Sequence, residues 1–572
     1  MGSLLPNNIV DEPSFAQLYV HDPLIQLGIR ERRNPNLHPI IMSELQAMIH
    51  DTHPYVPLFK QAFMIMAEKP PEEAHNVQVN LHVEHSADQR RYNLPTADEI
   101  AAIVPGDGSE DRKNDRDIIL HLRSGGLRRI SHLHPHYASL HYVCFFPRGE
   151  DGWHTAIPSM PGPRGNPRSS NVSERCYYAY CLHARPGEPS IIFRGGRLLQ
   201  EYVVDAWASC EQSALNWARF HQKELRADLY QNLRDATSDV DGVDANIGER
   251  IILPSSHIGS PRHMYQLFQD SMAICRYYRK PDIFLTMTAN PNWPEIQEQL
   301  LKDEPVPGRP EKRQEVSDRP DIVARVFEEK KKALLKEIKN GLFGNVVATV
   351  HTIEFQKRGL PHMHLLIFLD QPYKFRNPED VDTLVSAQIP DPATHPTLYE
   401  TVSTCMLHGP CGAKCMVNGK CSKNFPKSFR DDTHFGEDGY PDYARPDNGR
   451  KIIKGNNVYD NRHVVPYNPY LSAKYNCHIN VEVCASISAI KYIHKYIYKG
   501  HDRATIEISG GIQDEIKEYL DARYVSAIEA CWHIFEFGMH AESPSVYRLP
   551  VHLKDQHMVY FNAEDDLDGV ME

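Results

Sequence analysis

Gly359-Leu360-Pro361-His362-Met363-His364-Leu365-Leu366-Ile367-Phe368-Leu369 is the stretch on which the reading of this chain turns. Four apolar residues follow the second histidine, so the run begins a buried strand. Successive strand side chains point to opposite faces. His362, His364, Leu366 and Phe368 therefore share one face, with Met363, Leu365, Ile367 and Leu369 on the other. Two imidazoles on one face are a natural pair of ligands for a divalent ion. His132-Leu133-His134 has the same spacing but is followed by Pro135 and lacks an apolar run, so it reads as a loop.

Upstream, Val346 to Phe355 is a second strand and Lys357-Arg358-Gly359 a turn, which makes a hairpin with the histidines on its second arm. Glu354 and Gln356 alternate on one face of the first arm, and either can supply a third ligand. Both offer oxygen, which Mg²⁺ and Mn²⁺ prefer. Ile283–Thr288 reads as another buried strand, and a helix beginning at Asp321 ends at Gly341. Strand, helix and antiparallel hairpin predict an α+β fold, a central antiparallel sheet flanked by helices.

Far downstream, Lys491-Tyr492-Ile493-His494-Lys495-Tyr496-Ile497-Tyr498-Lys499-Gly500 reads as a helix. Ile487, Ile490, Ile493 and Ile497 form one stripe, and Tyr492, Tyr496 and Lys499 fall on approximately the opposite side. Core tyrosines would join the stripe. These two are free to act as nucleophiles toward a phosphodiester, with Lys495, Lys499 or His494 beside the phosphate.

Cys405, His408, Cys411, Cys415 and Cys421 crowd into a short Pro- and Gly-containing segment. Such spacing suits a structural zinc, which takes four N or S ligands. His408, Cys411, Cys415 and Cys421 are the favoured set, with Cys405 in the core. Lys414, Lys420, Lys423, Lys427 and Arg430 make this segment basic, and Lys423 and Lys427 are candidate DNA contacts, as are Lys495 and Lys499.

At 572 residues the chain is too long for one core. Its 41% hydrophobic and 24% charged content are globular values, and the net charge of −12 makes local basic patches more informative than the total. No run reaches the ~20 apolar residues of a membrane helix, and no signal-peptide pattern opens the chain. A soluble, intracellular protein without a membrane partner is expected. The expected organisation is a possibly disordered stretch over 1–40, an N-terminal domain over 41–165, a helical region over 172–245, a nuclease core over 250–510 with a zinc-binding insertion at 405–430, and a C-terminal segment over 511–572. No Gly-x-x-x-x-Gly-Lys-Ser/Thr phosphate loop occurs, so no ATP motor is recognisable.

Glu354 through His364 closely resembles the His-hydrophobic-His motif of Helitron transposases, and Lys491 to Gly500 their two-tyrosine motif. Leu94–Glu99, Phe146–Trp153, Ile252–Ser256, Thr288–Glu295, His408–Gly412 and His478–Glu482 resemble further stretches in the same order. The resemblance implies an HUH nuclease-like fold with an additional N-terminal domain. It implies a metal-dependent endonuclease and strand transferase, working in the nucleus on single-stranded DNA at transposon ends. The intermediate would be a 5′-phosphotyrosine at Tyr492 or Tyr496. Family members continue into a helicase, so a helicase domain or protein is an expected partner. The alternative is an inactive or domesticated remnant that binds single-stranded DNA.

Overall fold

A computed structural model describes residues 23–57, 117–121, 127–160, 171–188, 190–222, 227–229, 251–302, 313–356, 359–412, 415–436, 440–484, 515–520, 525–549, 554, 557–560, 566 and 569–570. The chain divides into two compact units, residues 1–195 with 209–212, and residues 196–208 with 213–572.

In the first unit, helices Pro23–Arg33 and Pro39–Thr52 precede a hairpin of Asp117–His121 with Leu127–Ser131. His132-Leu133-His134 follows that hairpin as a turn, in keeping with the loop reading. Tyr137, Leu140, Tyr142, Phe145 and Phe146 are buried, and the Trp153 indole donates to the Val172 carbonyl at 2.9 Å.

The second unit is built on a five-stranded sheet in which every neighbour is antiparallel. Its strands are β1 (Ile283–Thr288), β2 (Val346–Phe355), β3 (Pro361–Leu369), β4 (Ile479–Val483) and β5 (His540–Ser543), in the spatial order β4-β1-β3-β2-β5. The histidine strand β3 is thus central. The hairpin read from sequence forms, with Glu354 opposite His362 and Phe355 opposite Pro361. Gly359 closes the turn at φ +80°, a backbone conformation glycine adopts without steric cost.

Each face of the sheet has its own cover. Helix α1 (Pro261–Tyr278) is capped by the Ser260 side chain, which accepts from the His263 amide. Its Ile274 and Cys275 pack on Phe284, Ala348, Val350, Leu366 and Phe368, the face that also carries the histidines. On the other face, Phe355 meets Trp532 of α5 (Ala527–Ile534), which meets Phe327 of α2 (Pro320–Lys339). Helix α2 starts with Pro320 and an acidic first turn, two features of a helix N-terminus. It buries Ile322, Val323, Phe327, Leu334 and Ile338 along one stripe.

Between β3 and β4 the chain makes a long excursion over residues 370–478. Helices α3 (Pro396–Cys405) and α4 (Pro469–Tyr475) frame a core of Leu398, Val402, Met406, Tyr459, Val464 and Tyr467. The excursion returns through Asn476, a left-handed cap at φ 42°. Its carbonyl accepts from the Asn290 side chain at 2.7 Å, and the Tyr475 carbonyl accepts from the Trp293 indole at 2.7 Å. The Asn290-Pro291-Asn292-Trp293 turn after β1 thereby fixes the start of β4.

Candidate metal and nuclease site

Register alone gathers the first group of side chains. His362 lies between Thr288 on β1 and Glu354 on β2, and His364 between Thr286 and Thr352. The two imidazoles are 4.5 Å apart between ring centroids and nearly perpendicular. Glu354 Oε2 is 3.0 Å from His364 Nε2, and Thr288 Oγ1 is 2.7 Å from His362 Nδ1. The His364 ring lies parallel to Phe284, with centroids 6.0 Å apart. Gln356 lies beyond the end of β2 and is exposed, its amide donating to the Leu360 carbonyl. Of the two proposed third ligands, Glu354 reaches the pair.

Burial pushes His362 down to about 3, assisted by His364, His478 and Lys423 and opposed by the Glu354 carboxylate. At neutral pH its imidazole is uncharged, the form that can bind a cation.

His478 stands just ahead of β4, its carbonyl accepting from the Thr288 amide. Strand alternation puts it on the same face as Asn480. Its Nδ1 lies 2.9 Å from the Cys405 carbonyl. A carbonyl only accepts, so Nδ1 carries the proton and Nε2 is left with its lone pair. Burial lowers this imidazole as well. Thr288 and His478 both occur in sequence stretches singled out above, yet neither had been assigned a role. Their proximity to His362 depends on cross-strand pairing that no local pattern reveals.

A second group forms in the excursion. His408 Nε2 is 3.2 Å from Cys411 Sγ and 3.2 Å from Cys421 Sγ, and the three donor atoms lie within 4.8 Å of one another. Among the described residues this is the one set of three His, Cys, Asp or Glu donors so gathered. Amides of Phe425 and Lys423 help hold the Cys421 thiol low, whereas its hydrogen bond with Cys421 raises Cys411. Phe425 stacks on the His408 ring at 4.2 Å. Cys415 is exposed and stands outside the set of three, although its backbone is tied in by bonds to Gly412 and Ser422. Cys405 is half-buried, beside the Thr404 hydroxyl.

Lys423 is exposed next to this loop, and Lys427 lies 5.3 Å from the Phe425 ring centroid. Tyr492, Tyr496, Lys495 and Lys499 lie outside the described residues.

Two imidazoles and a carboxylate gather on the central strands of a mixed α/β protein, and a compact His/Cys loop forms in the same unit. Residues 177–367 match the family model described as "Helitron helicase-like domain at N-terminus". The match takes in β1, β2 and most of β3, including both histidines and Glu354. Over that stretch the chain is similar to Helitron proteins. No curated protein matches the chain. Among the described residues no helix is long and apolar enough to cross a membrane.

Proposed function

We propose that the histidine-bearing face is the metal site of an HUH-type endonuclease and strand transferase acting on single-stranded DNA at transposon ends. The observation that carries this reading is the central-strand pair His362 and His364, with Glu354 Oε2 at 3.0 Å, inside a Helitron-related stretch. The donor set suits a divalent ion, and its two nitrogens favour Mn²⁺ over Mg²⁺. When bound, such an ion supplies Lewis-acid polarisation of a phosphate. Thr288 fixes the orientation of the His362 ring.

Tyr492 or Tyr496 is the proposed nucleophile. Its phenolic oxygen forms the new P–O bond, the P–O3′ bond breaks, and the leaving oxygen takes up a proton. The products are a 5′-phosphotyrosine and a free 3′-hydroxyl. The second tyrosine can attack another strand while the first holds its end. His408, Cys411 and Cys421 are the proposed ligands of a structural Zn²⁺, with Cys415 as the fourth. Lys423, Lys427, Lys495 and Lys499 are proposed backbone contacts, a helicase domain or protein the partner, and the nucleus the place of action.

The experiment is incubation with Mn²⁺ and an end-labelled single-stranded oligonucleotide carrying candidate transposon-end sequence, followed by a denaturing protein gel. Label should travel with the protein and vanish in the Tyr492→Phe/Tyr496→Phe double variant. Cleavage without an adduct would assign the nucleophile to water. Binding with neither cleavage nor adduct would leave a DNA-binding remnant.

A further inference from the structure

His540 and Glu542 take no part in the site described above. They belong to the short last strand, β5, where His540 stands opposite Thr352 and Glu542 opposite Val350. Thr352 is also the partner of His364, so His540 lies on the same face as the nuclease histidines, two strands out from β3.

The His540 side chain is only 6% exposed and that of Glu542 15%. Its Nε2 is 3.5 Å from Glu542 Oε2. Neither ring nitrogen of His540 makes a hydrogen bond, and neither does that carboxylate oxygen. A buried imidazole with two idle nitrogens beside an idle carboxylate oxygen is an unfavourable arrangement unless something else completes it. A direct N–H···O bond would draw the atoms to about 2.7–2.9 Å. Two donors on one cation, each about 2.0–2.2 Å from it, stand roughly 3–3.5 Å apart when they subtend a near-right or tetrahedral angle. The observed separation matches that bite.

The ion of the nuclease site is out of reach. His364 and His540 are separated by two inter-strand steps of about 5 Å, so their Cα atoms stand roughly 10 Å apart, too far for a routine shared ligand set. We propose that His540 and Glu542 hold a second divalent cation, of the Mn²⁺ or Zn²⁺ type that accepts mixed nitrogen and oxygen ligands. With only two protein donors, its remaining positions fall to water or to phosphate oxygens of a bound strand. The phosphate role rests on the nuclease reading; the cation site does not.

The test is titration of the purified full chain with Mn²⁺ alone, zinc left in place, counting bound ions by the loss of the free-ion electron paramagnetic resonance signal. Wild type should bind two Mn²⁺ with comparable occupancy. The His540→Ala/Glu542→Ala variant should bind one, as should His362→Ala/His364→Ala. Glu542→Gln keeps size and shape, and should weaken one of the two sites at least about tenfold through the lost charge, with an unchanged thermal melt. A wild-type count in both the Ala pair and Glu542→Gln would overturn the proposal, as would a single Mn²⁺ in wild type that only the His362/His364 variant removes. Loss of one ion at 540/542 with no change at 362/364 would uphold this site and sink the nuclease metal instead.

Discussion

His362 and His364 reach their places through strand register, whereas His408, Cys411 and Cys421 converge within a loop. The first pair sits on a strand bonded on both sides, so folding of β1, β2 and β3 orders the side chains before any ion arrives. Around the second set the regular structure amounts to the two-residue strands Met416–Val417 and Lys420–Cys421. A few turn bonds do little against the conformational entropy of ordering such a loop, so the zinc proposed there would carry much of its order. The difference teaches that one centre should survive metal removal as a shape and the other should not.

The sharpest way to break that contrast is to remove the sheet ligands themselves. His362→Ala/His364→Ala should lower Mn²⁺-dependent cleavage by more than the ~100-fold that outer-shell changes cost, with little change in the far-ultraviolet circular dichroism. Zinc chelation comes next. Amide exchange over residues 406–425 should accelerate strongly, while β3 keeps its protection. Equal acceleration in both would show that the sheet site depends on the loop. Thr288→Val removes the hydroxyl 2.7 Å from His362 Nδ1 and should weaken Mn²⁺ binding about tenfold by calorimetry.

A last effect, on stability rather than on metal binding, concerns pH and the other face of the sheet. Burial holds His351 down to about 3, with help from Lys331 and His540. Between roughly pH 6.5 and pH 3 the unfolded chain takes up a proton at this position and the folded chain does not. Its contribution is therefore a loss of stability as pH falls through that window. His351→Leu should flatten the slope by at most about 2 kcal/mol between pH 6.5 and 5, read from urea denaturation.

The sheet-forming hairpin was legible because alternation, a basic turn with glycine and an apolar run all agree over residues 346–369. The same local signals exposed the histidine pair and left Glu354 and Gln356 undecided; only the register separates them. Thr288 is 74 residues from His362 in sequence, and no period connects them. β5 was missed for another reason. His540-Ala541-Glu542-Ser543 is short, polar and at the sheet edge, so nothing apolar marks it as a strand. In the His/Cys segment composition pointed to the cluster, but loop geometry alone set Cys415 apart from the other three.

The order of elements along the chain also sets an order in time. Thr288, Glu354, His362 and His364 all lie on strands completed by residue 369, and those strands pair with one another directly. Tyr492 and Tyr496 are translated more than a hundred residues later. A nascent chain can therefore assemble its proposed cation seat while the proposed nucleophiles are still unmade. On the function proposed, a message broken between those points would yield a product that keeps the cation ligands and lacks the means to cut.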